Sequence, residues 1–281
     1  MKAHWLRLAI FVAATAIFWP TPSRSGEPNW PDQLLIGTAS PGGTYYVYGE
    51  GLAKILTRTV ELPAARLATE GPAQNIELLE RGEAKLGFVT IGIALQAWNG
   101  TGIWEGKKPA RSMRAILPMY DTPFQFLVLQ ESGIRSIAEM AGKRVGVGPR
   151  GGTSAAYFPQ FFQTLKVPVN LVFGEWAELA AQVHQRTIDV LAVGAGVPFP
   201  SFVELEAKDK VRYIPFSPEQ ITTLRLAMPE LTPSRIPRGP TRRCCGITRR
   251  WAYTISRWHT RSYQMTLFST WSKQFSRTTR K

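Results

Sequence analysis

From Gln33 onward, short runs of β-prone residues alternate with amphipathic segments, and that alternation restricts the chain to βα units and a mostly parallel sheet. The strand candidates are Leu34 to Gly37, Ala65 to Thr69, Leu86 to Thr90, Ala115 to Met119, Phe124 to Leu129, Arg144 to Val147, Asn170 to Phe173, Ile188 to Val193 and Val211 to Ile214. Helices are predicted between them, near residues 44 to 58, 72 to 81, 152 to 165, 175 to 186 and 199 to 208. Pro159 falls inside the third of these, which predicts a helix kinked there or starting later. The run "RAILPMYDTPFQFLVLQ" offers two extended pieces broken by Asp121 and Pro123, which suits a strand leaving one lobe and entering another. Two α/β lobes with a cleft between them follow, 27–120 and, for the most part, 121–237; one continuous doubly wound sheet is the alternative.

The two ends differ from this body. The net charge of +14 would normally point to nucleic acid or an anionic membrane. Yet residues 27–237 carry twenty basic and twenty acidic groups, while 1–26 carry three basic and 238–281 eleven basic, with no acid in either. The neutral middle removes the nucleic-acid reading. Residues 1–26 place Lys2 and Arg7 before an apolar run and end in small and polar residues, the layout of a secretory signal peptide cleaved near Ser25; a membrane anchor is the competing reading, and the run is short for one. Both cysteines, Cys244 and Cys245, lie in the basic tail, so the exported body holds no disulfide framework.

Two loops carry chemistry. In "LLIGTASPGGTYYVYGEGLAKIL" a strand ends at Gly37 and a helix begins near Thr44, with Gly42 and Gly43 between. The free N–H groups of such a helix start favour an anion, and the tyrosines add phenolic donors; a plain tight turn with tyrosines packed on the sheet is the other reading. In "RVGVGPRGGTSAAYF" a second strand feeds a second glycine-rich helix start. It lacks the Gly-Lys-Ser/Thr of a P-loop and the spacing of a dinucleotide fingerprint. Two such starts, one per lobe, would clamp a small carboxylate. Arg150 would pair with it or face solvent, and Gln74 and Asn75 would reach the cleft or cap their helix. His184 reads as a surface residue. No His/Cys/carboxylate group has metal-ligand spacing, no cofactor is called for, and no nucleophile has a base and orienting partner, so an enzyme is disfavoured.

In order and spacing, "IGTASPGGTYYVYGEGLAKIL", "QNIELLERGEAKLGFV", "LQAWNGTG", "SGIRSIAEMAGKRVGVGPRGGTS" and "DVLAVGAGVPFPSFVEL" resemble the TAXI family of solute-binding proteins that serve TRAP transporters. The resemblance covers roughly residues 33 to 237. It implies a two-lobed type II periplasmic-binding-protein fold that closes over an organic anion, a carboxylate or acidic amino acid, in the periplasm and delivers it to a TRAP membrane permease. Carried over by position, the ligand-binding residues are Ser40, Thr44, Tyr45, Gln74, Asn75, Gly152, Thr153 and Ser154. The family's usual Gly-Gly-Ser before the Asn reads "GPAQN" here, its Gly-Ser-Gly-Thr reads "RGGTS", and the acidic residue often found after the Leu86 strand is absent from "FVTIGIAL". An exported α/β enzyme using the glycine-rich loops as an anion site is the alternative from another class.

The resemblance stops at Pro237, where charge balance and composition change together. Codon arithmetic explains the break. With one base lost near Pro237 and Arg238, each intended codon is the third base of one codon plus the first two of the next. Trp is TGG only, so Trp251–Ala252 conceals GGC, a glycine, and Trp258–His259 conceals GCA, an alanine. Met is ATG only, so Met265–Thr266 conceals GAC, an aspartate. The forced residues agree with the family's C-terminal segment. Residues 238–281 are thus expected to be a frameshifted tail, the fold incomplete there, its apolar surface uncovered and the segment poorly ordered or implausibly packed; a basic tail for an acidic partner or membrane is the competing explanation. A non-functional product is the corresponding expectation for the chain as it stands.

Overall fold

The computed structural model describes residues 30–236 and the backbone of two short segments, 253–257 and 265–268. The expected signal peptide and cysteine pair, and most of the expected frameshifted tail with its predicted poor order, lie outside the described residues. In chain order the elements are β1 (Leu34–Gly37), α1 (Thr44–Val60), β2 (Ala64–Leu67), α2 (Pro72–Arg81), β3 (Leu86–Val89), α3 (Ile91–Asn99), β4 (Arg114–Pro118), β5 (Phe124–Leu129), β6 (Arg144–Gly146), α4 (Thr153–Thr164), β7 (Asn170–Val172), α5 (Trp176–His184), β8 (Val190–Gly194), α6 (Pro200–Lys208), β9 (Val211–Ile214), α7 (Pro218–Ala227), β10 (Leu231–Arg235), β11 (Tyr253–Arg257) and β12 (Met265–Phe268).

They form two sheets. The first runs β2-β1-β3-β12-β4; the second runs β10-β11-β5-β8-β6-β7, with β9 also paired to β5. Each has a parallel βα core, β2-β1-β3 in one and β7-β6-β8 in the other. The expectation of mostly parallel sheets holds for those cores only. β5 enters the second sheet antiparallel to β8 and β9, because the chain crosses from one sheet to the other between Pro118 and Phe124 and arrives reversed. β11 and β12 are likewise antiparallel to their neighbours, and β12 sits between β3 and β4.

The helices follow local chemistry. α2 starts on Pro72 at its first turn and stops at Gly82, whose left-handed backbone lets its N–H return to the carbonyls of Leu78 and Leu79. α4 runs unbroken from Thr153 to Thr164 through Pro159, so the later start anticipated from that proline is not taken. The side-chain amide of Gln160 donates to the Ala156 carbonyl at 2.8 Å within the same helix.

Burial drives the assembly. The largest apolar cluster is continuous from Ile76, Val89 and Ile93 of the first lobe to Phe124, Phe126, Phe158 and Phe161 of the second. Its rings interlock, Phe124 with Phe161 at 4.8 Å and Phe126 with Phe158 at 5.0 Å between centroids, within the range of favourable aromatic pairs. Smaller clusters cover the opposite face of each sheet. β4 is the exception, exposed along all its residues, with Ile116 43% and Leu117 50% accessible.

Candidate functional site

Because a parallel βα unit runs strand, loop, helix, the carboxyl ends of the strands and the amino ends of the helices meet at one rim. Here the two rims face each other. A small, partly open cavity of about 40 Å³ between the lobes is lined by residues from the starts of six helices: Gly43 and Thr44 (α1), Gly71 and Pro72 (α2), Thr90 (α3), Gly152 and Thr153 (α4), Trp176 (α5) and Phe199 (α6). No side chain at the N-cap of these helices caps its own helix, so their first-turn N–H groups are available to something else.

Three of those amino ends are spent across the cleft. In α2, Ala73 N donates to the Gly151 carbonyl at 3.0 Å. In α5, Trp176 N donates to Ser40 Oγ at 3.4 Å and Ala177 N to the Pro41 carbonyl at 3.2 Å. In α6, Ser201 N and Oγ both donate to the Gly42 carbonyl, at 3.2 and 3.0 Å. Among the described residues, nothing in the opposite lobe takes up the first-turn N–H groups of α1, α3 or α4. Those three ends are what the cavity offers an anion.

The hydroxyls are partly committed as well. Thr44 Oγ1 donates to the Gly196 carbonyl at 3.0 Å, and Ser154 Oγ accepts from Gly194 N at 2.8 Å. Thr90 and Thr153 share a hydrogen bond at 3.1 Å, which leaves one of the two protons free. Glu70, the one charged side chain on the wall, accepts from Gly151 N at 3.1 Å. Gly71 brings the lobes together: at φ 126 its backbone is one that L side chains rarely adopt, and a Cβ there would lie 3.2 Å from the Cα of Gly152.

Of the residues expected from the sequence, Thr44, Tyr45, Gly152, Thr153 and Ser154 line the cavity. Ser40 does not; its hydroxyl receives the α5 amino end. Gln74 does not; its side-chain oxygen accepts from Glu70 N at 2.7 Å. Asn75 is fully buried in the first lobe, donating to the carbonyls of Thr38 and Phe88 and accepting from Thr69 Oγ1, each at 2.8 Å. It ties three strand ends together and has no hydrogen left for a ligand. Arg150 lies over the ring of Phe173 at 4.2 Å and is not on the wall. His184 pairs with Asp209 at 2.7 Å on the surface.

Thr90, Tyr120, Trp176 and Phe199 line the cavity without having been singled out from the sequence. Thr90 ends β3 and precedes α3, and the rule that ligands meet the carboxyl ends of strands would have found it. Tyr120 packs near Tyr45, with ring centroids 6.2 Å apart. Burial, reinforced by the neighbouring phenol of Tyr120, pushes the Tyr45 hydroxyl well above its ordinary pKa. Burial, reinforced by Tyr48, does the same to Tyr120. Both remain protonated donors at neutral pH, and neither hydroxyl has a hydrogen-bond partner. A larger open groove lies on the outer face of α1 and β2, but there Glu50 already bridges Lys54 at 3.1 Å and Arg66 at 2.9 Å, an ordinary solvated charge network.

The arrangement matches known proteins. An ancestral arginine-binding protein bound to arginine superposes with a TM-score of 0.51 over 87% of this chain and 88% of its own, at 14% identity. The GluR0 ligand-binding core in complex with L-glutamate gives 0.50 over 86% of each chain, at 7% identity. The alkanesulfonate-binding protein SsuA from Xanthomonas axonopodis pv. citri, bound to MOPS, is also similar, at 0.48 and 17% identity over 66% of this chain; the match spans only 60% of SsuA. The mixed α/β architecture is thus the periplasmic-binding-protein fold. The model of the NMT1-like family matches residues 36–244. The chain belongs to the NMT1-like family.

Proposed function

We propose that this chain is the extracytoplasmic solute-binding subunit of a transporter, closing its two lobes over a small organic anion. The observation that supports this reading most is the convergence of uncommitted helix amino ends from both lobes, α1 and α3 facing α4, on one cavity. A carboxylate there meets donors from both sides only when the cleft is closed, so binding shifts the population toward the closed form. In the finer version of this reading the partner is a TRAP-type membrane permease that recognises closure, the protein is exported to the periplasm by residues 1–26, and the ligand is a carboxylate. Small-angle scattering during titration with short carboxylates tests it: compaction on binding is expected, and binding without compaction overturns it.

The tail belongs to the same proposal. Residues 238–281 are read as out of frame, and the exposed β4, with Ile116 and Leu117 open to solvent, is the surface that an in-frame C-terminal segment would cover. The family match runs to residue 244, past the change in charge balance after Pro237, and leaves the rest of the tail unmatched. Resequencing the gene decides this; an intact frame with no missing base removes it.

A further inference from the structure

Resting on the binding reading above, the seat of the second lobe on the first identifies two residues that set how far the cleft closes. β8 ends at Gly194, and the loop that follows, Ala195 and Gly196, lies against the segment that carries the chain from one sheet to the other. Ala195 N donates to the Pro123 carbonyl at 3.4 Å, and the Gly196 carbonyl accepts from Thr44 Oγ1 of the first lobe at 3.0 Å. The rings of that crossover segment divide between the lobes. Phe124 opens β5 and belongs to the second sheet. Tyr120 packs against the apolar cluster of the first lobe, with Tyr45 and Tyr48 of α1 at 6.2 and 5.9 Å between ring centroids.

Gly194 and Gly196 are both required by close approach. A Cβ on Gly194 would lie 2.6 Å from Phe124 Cε1, and one on Gly196 would overlap the Cε2 and Cδ2 edge of the Tyr120 ring. The two overlaps differ in kind. The first falls inside the second lobe. The second falls between the lobes, against a ring held among the α1 tyrosines. Tyr120 and Gly196 both line the cavity as well, so the distance between them sets the width of the cleft at that wall. We propose that Gly196 and Tyr120 are the stop on which the lobes close: the bare α-carbon of Gly196 seats on the Tyr120 ring, and the missing side chain is what lets the helix amino ends of both lobes reach one ligand. Both are positioning residues, since their contact places the donors of one lobe against those of the other.

Amide hydrogen exchange of the full chain tests this without a ligand. Ala73, Ala177 and Ser201 lie in first turns and donate their N–H groups to carbonyls of the opposite lobe, so parting of the lobes exposes them. Val147 N donates to the Val172 carbonyl at 2.9 Å inside the second lobe and reports unfolding instead. In Gly196→Ala the three first-turn amides should exchange at least about tenfold faster, with Val147 changing much less. Tyr120→Trp, which enlarges the ring instead, should give the same selective effect. In a Tyr120→Ala background, Gly196→Ala should add little, the non-additivity of a direct contact. Gly146→Ala, whose methyl would meet Leu191 at 3.1 Å within the second lobe, should act on all four amides alike. Substitutions at 196 and 120 that leave the three amides unchanged, speed all four alike, or combine additively overturn the stop while leaving the binding reading intact. If the three amides of the parent exchange as slowly as Val147, the lobes do not part short of unfolding, and both readings are overturned.

Discussion

Thr90, at the end of β3, and Thr153, at the start of α4, join the two lobes through hydroxyls 3.1 Å apart at the cavity wall. A hydrogen bond of this kind contributes about 1 kcal/mol, and because it bridges the two lobes, opening the cleft would break it. Thr153→Val keeps the shape and removes the bond, leaving Thr90 unpaired. Ligand affinity should fall by about tenfold or less, with a larger radius of gyration in ligand-free scattering. Unchanged affinity and radius would show that the pair does not bias closure.

Asn75 serves the first lobe's core. Its amide satisfies the Thr38 and Phe88 carbonyls and accepts from Thr69, so Asn75→Ala strands several buried groups at once. We expect a loss of about 3 kcal/mol in denaturant unfolding. In whatever fraction stays folded, the ligand affinity should be close to that of the parent. A large affinity loss at unchanged stability would return Asn75 to the binding site.

Gly71 separates closure from folding. Its backbone conformation is strained for any side chain, and the added methyl meets Gly152 only when the lobes are together. Gly71→Ala should therefore weaken ligand binding by more than its effect on unfolding accounts for. Equal losses in titration and in denaturant melts would place the whole effect in local strain.

The second lobe carries an acid-sensitive pair. Asp189 accepts from Arg144 N, Nε and Nη2 at 2.9 to 3.0 Å, and these hydrogen bonds, led by the guanidinium, hold its pKa below the usual carboxylate range. A depressed carboxyl contributes stability that is present above its unfolded pKa and lost as pH falls through the folded value. The melting temperature of the parent should therefore drop below about pH 4 more steeply than that of Asp189→Asn, the two curves converging in acid. Parallel curves would show that the pair contributes nothing.

If residues 238–281 are out of frame, as proposed, a chain with the frame changed back after Pro237 should melt at a higher temperature than the present one, because a segment matched to β4 would cover Ile116 and Leu117. Equal melting temperatures would mean that the exposed strand is not a vacated contact.

Alternation of short apolar runs with amphipathic ones was enough to locate β1, β5 and β9, and α2, because each is bounded by a strong local signal such as Pro72 or Gly82. α3 escaped because "IGIALQAWN" is apolar on nearly every side and shows no helical stripe. α7 escaped although its start is written plainly: Ser217 and Gln220 form a reciprocal capping box around Pro218. In the site, glycine-rich helix starts were legible because their chemistry is local. The roles of Ser40 and Gln74 were not. Each does have a polar partner, but the partner is Trp176 N from the other lobe or Glu70 N just before the helix, and spacing along the chain does not distinguish such an acceptor from a ligand.

The six helix starts gathered at one cavity have a kinetic consequence. Each carries a partial positive charge, so bringing the rims together without an anion crowds like against like. The Ser40 hydroxyl and the carbonyls of Pro41, Gly42 and Gly151 accept from three of those ends, which leaves the other three to carry the effect. A carboxylate bound there, as proposed, would turn the residual repulsion into attraction. Under the proposed function, a loaded form would then be slower to open than an empty one, and unloading would be the step that resets the protein.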